Sequence, residues 1–417
     1  MAAILPGHSA SARNHAAPIQ LTLWEGDAGT HAAVAALVSV FNKANPDIHV
    51  VTQTVGGTQS YEANVLTKFA IGQKPDLMYY QSGPGEIITL NPANLQDLTN
   101  LGIWKKYVAP TLANSGVLNG KHYSMELDYV SFFTSWYNKT VFSTYHLTPP
   151  TNFQQLLSVC ETLRSKASGV VPIYMGAGDK WPVQILPLNL MDDVVASGLL
   201  GKLNTGKAHW TDPTVVRALA ALTTLNQHRC FENNLLTGTF VGEQKALVTG
   251  ATAMVFNGSW MVTGLSATTG KPSSYINQVV GHMPLGYDRP YVGSGTPSSL
   301  YLPKTGAPAR EAAARTFALF AASAAGYAPY LTATGSLPVF KGFAAPSDVL
   351  TPILQAAKDY RSEGVANIQG AVVASMGADL LTWLQQLLVG SLTPSRMAQL
   401  IDQAFYHDAA ARNISGF

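Results

Sequence analysis

Apolar residues recur along this chain with two alternating periods, and the switches between them mark out its elements. Leu21 and Leu23 alternate with polar neighbours, which predicts a strand over Leu21–Trp24 closed by the loop Glu25-Gly26-Asp27. Val34, Leu37, Val38 and Phe41 follow at i, i+3, i+4 and i+7, one face of a helix. Asn45-Pro46-Asp47 breaks that helix, and Ile48–Val51 reads as the next strand. Tyr61, Val65 and Phe69, four apart, predict a second helix, and Leu77–Tyr80 a third strand that runs out at Gln81-Ser82-Gly83. Strand, loop and helix repeating in this order predict an α/β fold. In an open α/β sheet, ligands meet the loops beyond the carboxyl ends of the strands. Here those loops supply an indole, carboxylates and an amide, a set suited to a polyhydroxylated ligand.

The same grammar continues downstream. Asn119–Met125 predicts a hairpin turn leading into a strand, and Val130–Tyr137, dense in β-formers, a longer strand that stops at Asn138-Lys139. Pro149-Pro150-Thr151-Asn152 is a loop that supplies an N-cap for a helix through Leu163. Val170–Met175 is a strand followed by the loop Gly176–Trp181, and Ala253–Phe256 a short buried strand followed by Asn257-Gly258-Ser259-Trp260. From Arg310 to Ala322 a helix presents Ala313, Phe317, Phe320 and Ala321 on one side. The last third is mainly helical, with Leu350/Ile353/Leu354/Ala357, Leu380/Leu384/Leu387/Leu388 and Leu400/Ile401/Ala404/Phe405 as buried faces. There is no internal repeat and no low-complexity tract.

Composition narrows the picture. At 417 residues the chain exceeds one usual core, so two lobes are expected. Apolar residues at 47% suffice for a globular fold, whereas charged residues at 12% fall well below the usual quarter. A surface of Ser, Thr, Asn and Gln changes little with pH, so an acidic habitat is one expectation. A net charge of +2 without a Lys/Arg run gives no field for nucleic acid. No apolar run reaches the roughly 18 residues of a membrane span. Residues 1–18 lack the apolar core of a signal peptide and read as a flexible leader, so the signal of an exported protein would already be absent. Cys160 lies on an apolar helix face with Phe153, Leu156 and Leu163, and Cys230 follows a helix carrying Val216, Leu219 and Leu222. A disulfide between them and two buried free thiols both stay open, with the thiols the simpler expectation.

Seven segments, in order, resemble one family. They are Leu21–Trp24, Phe41–Val50, Phe69–Leu77, Trp136–Phe142, Pro149–Phe153, Gly250–Trp260 and Gly335–Pro338. The chain resembles extracellular solute-binding proteins of carbohydrate ABC importers, of the maltose-binding-protein type (family 1). The resemblance implies a type II periplasmic-binding fold: two lobes, each a mixed sheet flanked by helices, joined by crossing segments, with a helical C-terminal region. Residues 19–128 and 293–325 would form the N-terminal lobe, and 129–292 and 326–417 the C-terminal lobe. The lobes would close as a hinge over a mono-, di- or small oligosaccharide. The sugar would pass unchanged to the importer's permease subunits. No cofactor, metal or catalytic residue is implied, and a monomer at the outer face of the membrane or in a periplasm is expected, lipid-anchored or free.

A sugar ring has C–H faces and a rim of hydroxyls; aromatic faces cover the former, and Asp, Glu, Asn and Gln pair with the latter. Trp260, after the Asn-Gly-Ser turn, resembles the family's stacking tryptophan, and Trp181 a second aromatic platform. Trp24 closes a strand and reads equally as core. Asp128, in Met125–Asp128, falls where the resemblance places the first crossing between lobes, where a solvated hinge acid is the alternative. Glu25, Asp27, Gln59, Tyr61 and Gln81 lie at strand or helix ends, with capping or exposure as the alternative. Gly293 and Ser294 open Gly293–Ser299, which resembles the second crossing, where small residues admit close backbone approach. Gln369 lies in Asn367–Gly370, a stretch where relatives that bind glycerophosphate-like ligands tend to carry an Arg. That Arg is missing, and so is the maltose-type aromatic. A glycerol 3-phosphate or glycerophosphodiester ligand therefore stands second to a small neutral sugar, kept in view by Arg289 and Arg361. A glycoside-processing enzyme, drawing on Glu25, Asp27, Glu126 or Asp128 as its two carboxylates, is the reading from another class. The histidines show no metal-ligand spacing.

Overall fold

The computed structural model describes residues 17–26, 31–55, 61–233, 235–295 and 297–417. The leader expected over residues 1–18 falls almost wholly outside them, as do Asp27 and Gln59.

β1 (Ile19–Glu25) pairs in parallel with β2 (Ile48–Thr54) on one side and β3 (Leu77–Gln81) on the other. β4 (Val117–Leu118) and β5 (Lys121–His122) form the expected hairpin. Its two turn residues, Asn119 and Gly120, have φ of 50° and 76°, as a two-residue turn joining right-twisted strands requires. β6 (Ser124–Glu126) leads to β7 (Phe132–Asn138), followed by β8 (Val171–Tyr174), β9 (Thr252–Gly258) and β10 (Val280–Met283). β11 (Val292–Ser294), β12 (Ser298–Tyr301) and β13 (Gly364–Ala366) complete the strands.

Two five-stranded paths result. The first sheet runs β2-β1-β3-β12-β6, and the second β13-β11-β7-β9-β8 with β10 also on β7. Both are mixed: β12 is antiparallel to β3 and β6, and β7 is antiparallel to β9, β10 and β11. The chain passes between the sheets over residues 127–131, again between β11 and β12, and once more before the helix Thr351–Glu363, which packs on β10 and β11.

The helical layers explain where that third passage falls. Helix His31–Ala44 buries Val34, Leu37, Val38 and Phe41, and packs against helix Ala324–Thr334. The latter, capped by Ser323, buries Tyr327, Tyr330 and Leu331 in the same core. The first lobe's helical layer therefore continues beyond residue 325, where the boundary was expected. In the second lobe, helices Leu380–Leu388 and Pro394–Ala411 pack on helix Pro213–Gln227. Cys160 and Cys230 are joined by a disulfide across 70 residues, which resolves the open alternative in favour of the bond. No described helix is long and apolar enough to cross a membrane.

Candidate functional site

A cavity of about 730 Å³ opens between the lobes. The first lobe contributes Gln81, the last residue of β3, and Ser82 after it, with Glu86 and Thr89 on helix Pro84–Leu90. The passages between sheets contribute Ser131 and Gly295, and the second lobe Phe133, Gln184, Trp260, Asn367, Gln369 and Arg412. The wall is thus a few aromatic faces set among hydroxyls and primary amides.

Glycines shape the aromatic part. Gly258 ends β9, and a Cβ there would collide with the Trp260 ring, so the indole can fold back over the strand end only because no side chain is present. The turn is fixed on both sides of that glycine. Asn257 Nδ2 donates to Glu243 Oε2 at 2.9 Å, and Ser259 Oγ accepts from the Phe132 amide at 3.1 Å. Gly295 does the same for Phe133, whose ring occupies the space a Cβ would take. The small residues of the second passage therefore make room for an aromatic ring. Phe133 and Trp260 meet edge to face at 5.1 Å, a favourable arrangement for two π faces.

The polar floor is equally constrained. Ser82, Ser124 and Ser299 all donate to Glu126 Oε1, at 2.9, 3.1 and 3.3 Å. Glu126 is fully buried, and burial pushes its carboxyl above the usual range. Tyr301 donates to the Gln81 carbonyl at 2.9 Å. Asn367 caps the short helix Ile368–Ala371 through its Oδ1, which orients the neighbouring Gln369.

Trp260, Gln81 and Gln369 line the cavity among the residues singled out from the sequence. Of the others, those among the described residues lie elsewhere. Trp181 sits behind Trp260, at 6.2 Å ring to ring, and packs on Phe240. Trp24 is buried beside Met78 and Tyr80, donates to Gln53 Oε1 at 3.1 Å, and lies under Lys68 Nζ. Glu25 is buried and faces His31 Nδ1 at 2.7 Å. Tyr61 packs over Gly26 and donates to the Tyr79 carbonyl at 2.8 Å. Asp128 accepts from the hydroxyls of Tyr79 and Tyr330, which pins the first passage to the first lobe. Burial beside that carboxylate pushes both phenols well above their usual range. Gly293 and Ser294 are strand residues of the second sheet, with Ser294 Oγ donating to the Val365 carbonyl and accepting from Tyr360.

Arg289 and Arg361 are outside the cavity too. Arg289 donates to Tyr291 at 2.5 Å, and Arg361 lines a separate groove beside Tyr129 and Leu354. The guanidinium that does reach the cavity is Arg412, near the chain's end, paired with Asp408 at 2.9 Å. Nothing local in the sequence signals it, because its partner across the cleft is 323 residues away. No group of three metal-type side chains occurs among the described residues.

Two α/β lobes with a polar and aromatic cavity between them define a cleft-type ligand-binding protein. The family model for bacterial extracellular solute-binding proteins matches residues 36–358, and the chain belongs to that family. Similar solved structures include a chitin oligosaccharide binding protein, with TM-score 0.80 and 20% identity over 94% of this chain and 99% of that one. A sugar transporter protein from Bacillus licheniformis, solved with stachyose, gives TM-score 0.71 and 18% identity over 93% and 100%. A solute-binding protein solved with raffinose gives 0.73 and 17% over 93% and 98%. An ABC transporter extracellular-binding protein of Pyrococcus horikoshii is 23% identical over 209 residues. That match covers 48% of this chain and spans about half, 46%, of the relative.

Proposed function

We propose that this protein binds a neutral mono-, di- or small oligosaccharide between its lobes and delivers it unchanged to the permease of an ABC importer. The observation that carries this is the cavity wall itself: Trp260 and Phe133 offer apolar ring faces beside Gln81, Gln184, Asn367 and Gln369. Amides both donate and accept, which matches a ring of hydroxyls, while the indole covers C–H faces. A volume of about 730 Å³ lies within the ordinary range for small-ligand sites. The solved relatives named above were obtained with, or are named for, oligosaccharides.

Two further features support a neutral ligand handled without chemistry. Arg412 is matched by Asp408, which leaves no uncompensated guanidinium fork of the kind a buried phosphate wants. Glu86 is the one carboxylate among the cavity's described lining residues, whereas glycoside hydrolysis calls for two. The test is a thermal-shift screen of neutral glycans against glycerophosphodiesters. A glycan that binds raises the melting temperature by mass action; a rise only with the phosphodiesters would defeat the proposal.

A further inference from the structure

The two lobes touch directly along one edge of the cavity. Arg412, at the C-terminal end of helix Pro394–Ala411 in the second lobe, donates from Nη1 to Thr89 Oγ1 at 2.7 Å. Thr89 belongs to helix Pro84–Leu90 of the first lobe, and its hydroxyl proton goes to the Gly85 carbonyl at 2.8 Å. That bond leaves an oxygen lone pair for the guanidinium. Arg412 is oriented from behind, since its Nε donates to Asp408 Oδ1 at 2.9 Å while Asp408 Oδ2 accepts from the Ser375 amide at 2.7 Å. A continuous chain of hydrogen bonds thus runs from Ser375 through Asp408 and Arg412 to Thr89 and Gly85. Beside it the backbones come together: a Cβ on Gly85 would lie 3.2 Å from the Val372 carbonyl of the opposite lobe.

We propose that Arg412 and Thr89 form a latch that holds the lobes closed, and that they act as positioning residues for the ligand between them. A charged donor makes a stronger bond than a neutral one, and this one is formed only when the lobes meet. Opening the cleft breaks it, so its free energy counts wholly toward the closed state. Asp408 keeps the guanidinium aimed across the gap in either state. The latch goes beyond the sugar reading and does not depend on which ligand the cleft takes.

Because both cysteines of the chain are in the disulfide, spin labels on Ile71→Cys and Val389→Cys, exposed sites on opposite lobes, report the interlobe distance alone. In ligand-free protein, Thr89→Val removes the acceptor while keeping side-chain shape. It is expected to raise the open-to-closed ratio roughly ten-fold, the size of one hydrogen bond to a charged group. Arg412→Gln should do the same, and the double variant should open no further than either single one. Thr89→Ser should restore the parent distribution, and Gly85→Leu, which wedges the two backbones, should open the cleft with the latch residues intact. Unchanged distances in Thr89→Val and Arg412→Gln, or additive opening in the double variant, would overturn the latch.

Discussion

Glu232 gives the fold a pH dependence whose sign and size follow from its surroundings. It is 5% exposed, has no cation partner among the described residues, and accepts from the amides of Met175 and Gly176 at 3.0 and 3.3 Å. Burial outweighs those two bonds and raises its carboxyl from an ordinary 4.5 to about 7. At 1.36 kcal/mol per pKa unit, this is about 3 kcal/mol of preference for the protonated form in the folded state. A raised folded-state value means that the stability is fully present below pH 4.5 and is lost as pH rises through 7. Glu232→Gln keeps an acceptor for the amides and removes the proton dependence. It should therefore be close to neutral at pH 4 and stabilising by up to about 3 kcal/mol at pH 8. Urea unfolding of both proteins at the two pH values measures this directly. The same stability difference at pH 4 and pH 8 would refute the reasoning. Asp192, Glu243 and Glu126 are fully buried and shifted the same way by burial, so the parent protein should itself weaken from pH 5 to pH 8.

Other outcomes follow from single contacts. Gly258→Ala places a methyl where the Trp260 ring lies, so it should abolish glycan binding by calorimetry while the circular dichroism spectrum is retained. Reducing the Cys160–Cys230 bond opens a loop of 70 residues; it should cost about 2–4 kcal/mol in denaturant titrations and leave affinity unchanged. Asp128→Ala removes the shared acceptor of the buried Tyr79 and Tyr330 hydroxyls and leaves them only each other; it should destabilise by about 1–3 kcal/mol, read as a lowered melting temperature.

What could be read in the sequence was whatever depends on local periodicity. β1, β2 and β3 and the helix His31–Ala44 appear where alternation and the i, i+3, i+4 pattern put them, because each element buries one face against its neighbours. β10, β11 and β13 have only three or four residues each and draw their stability from distant partners, so no local pattern announces them. The site divides along the same line. Trp260 follows the end of β9 and Gln81 is the last residue of β3, the places where an α/β sheet meets ligand. Trp24 also ends a strand, yet strand parity turns it toward Met78 and Tyr80, under the helix Tyr61–Ala70. Asp128 read as a ligand-facing or solvated hinge acid because its tyrosine partners lie 49 and 202 residues away. Arg412 and Thr89 meet only through the packing of two lobes.

A crystal structure with the best-binding glycan of the screen tests the central proposal most directly. The expected result is a sugar ring against the Trp260 indole, inside the cavity, with hydroxyls on Gln81 and Gln369. A glycan seated outside the interlobe cavity, or one that leaves Trp260 untouched, would contradict it.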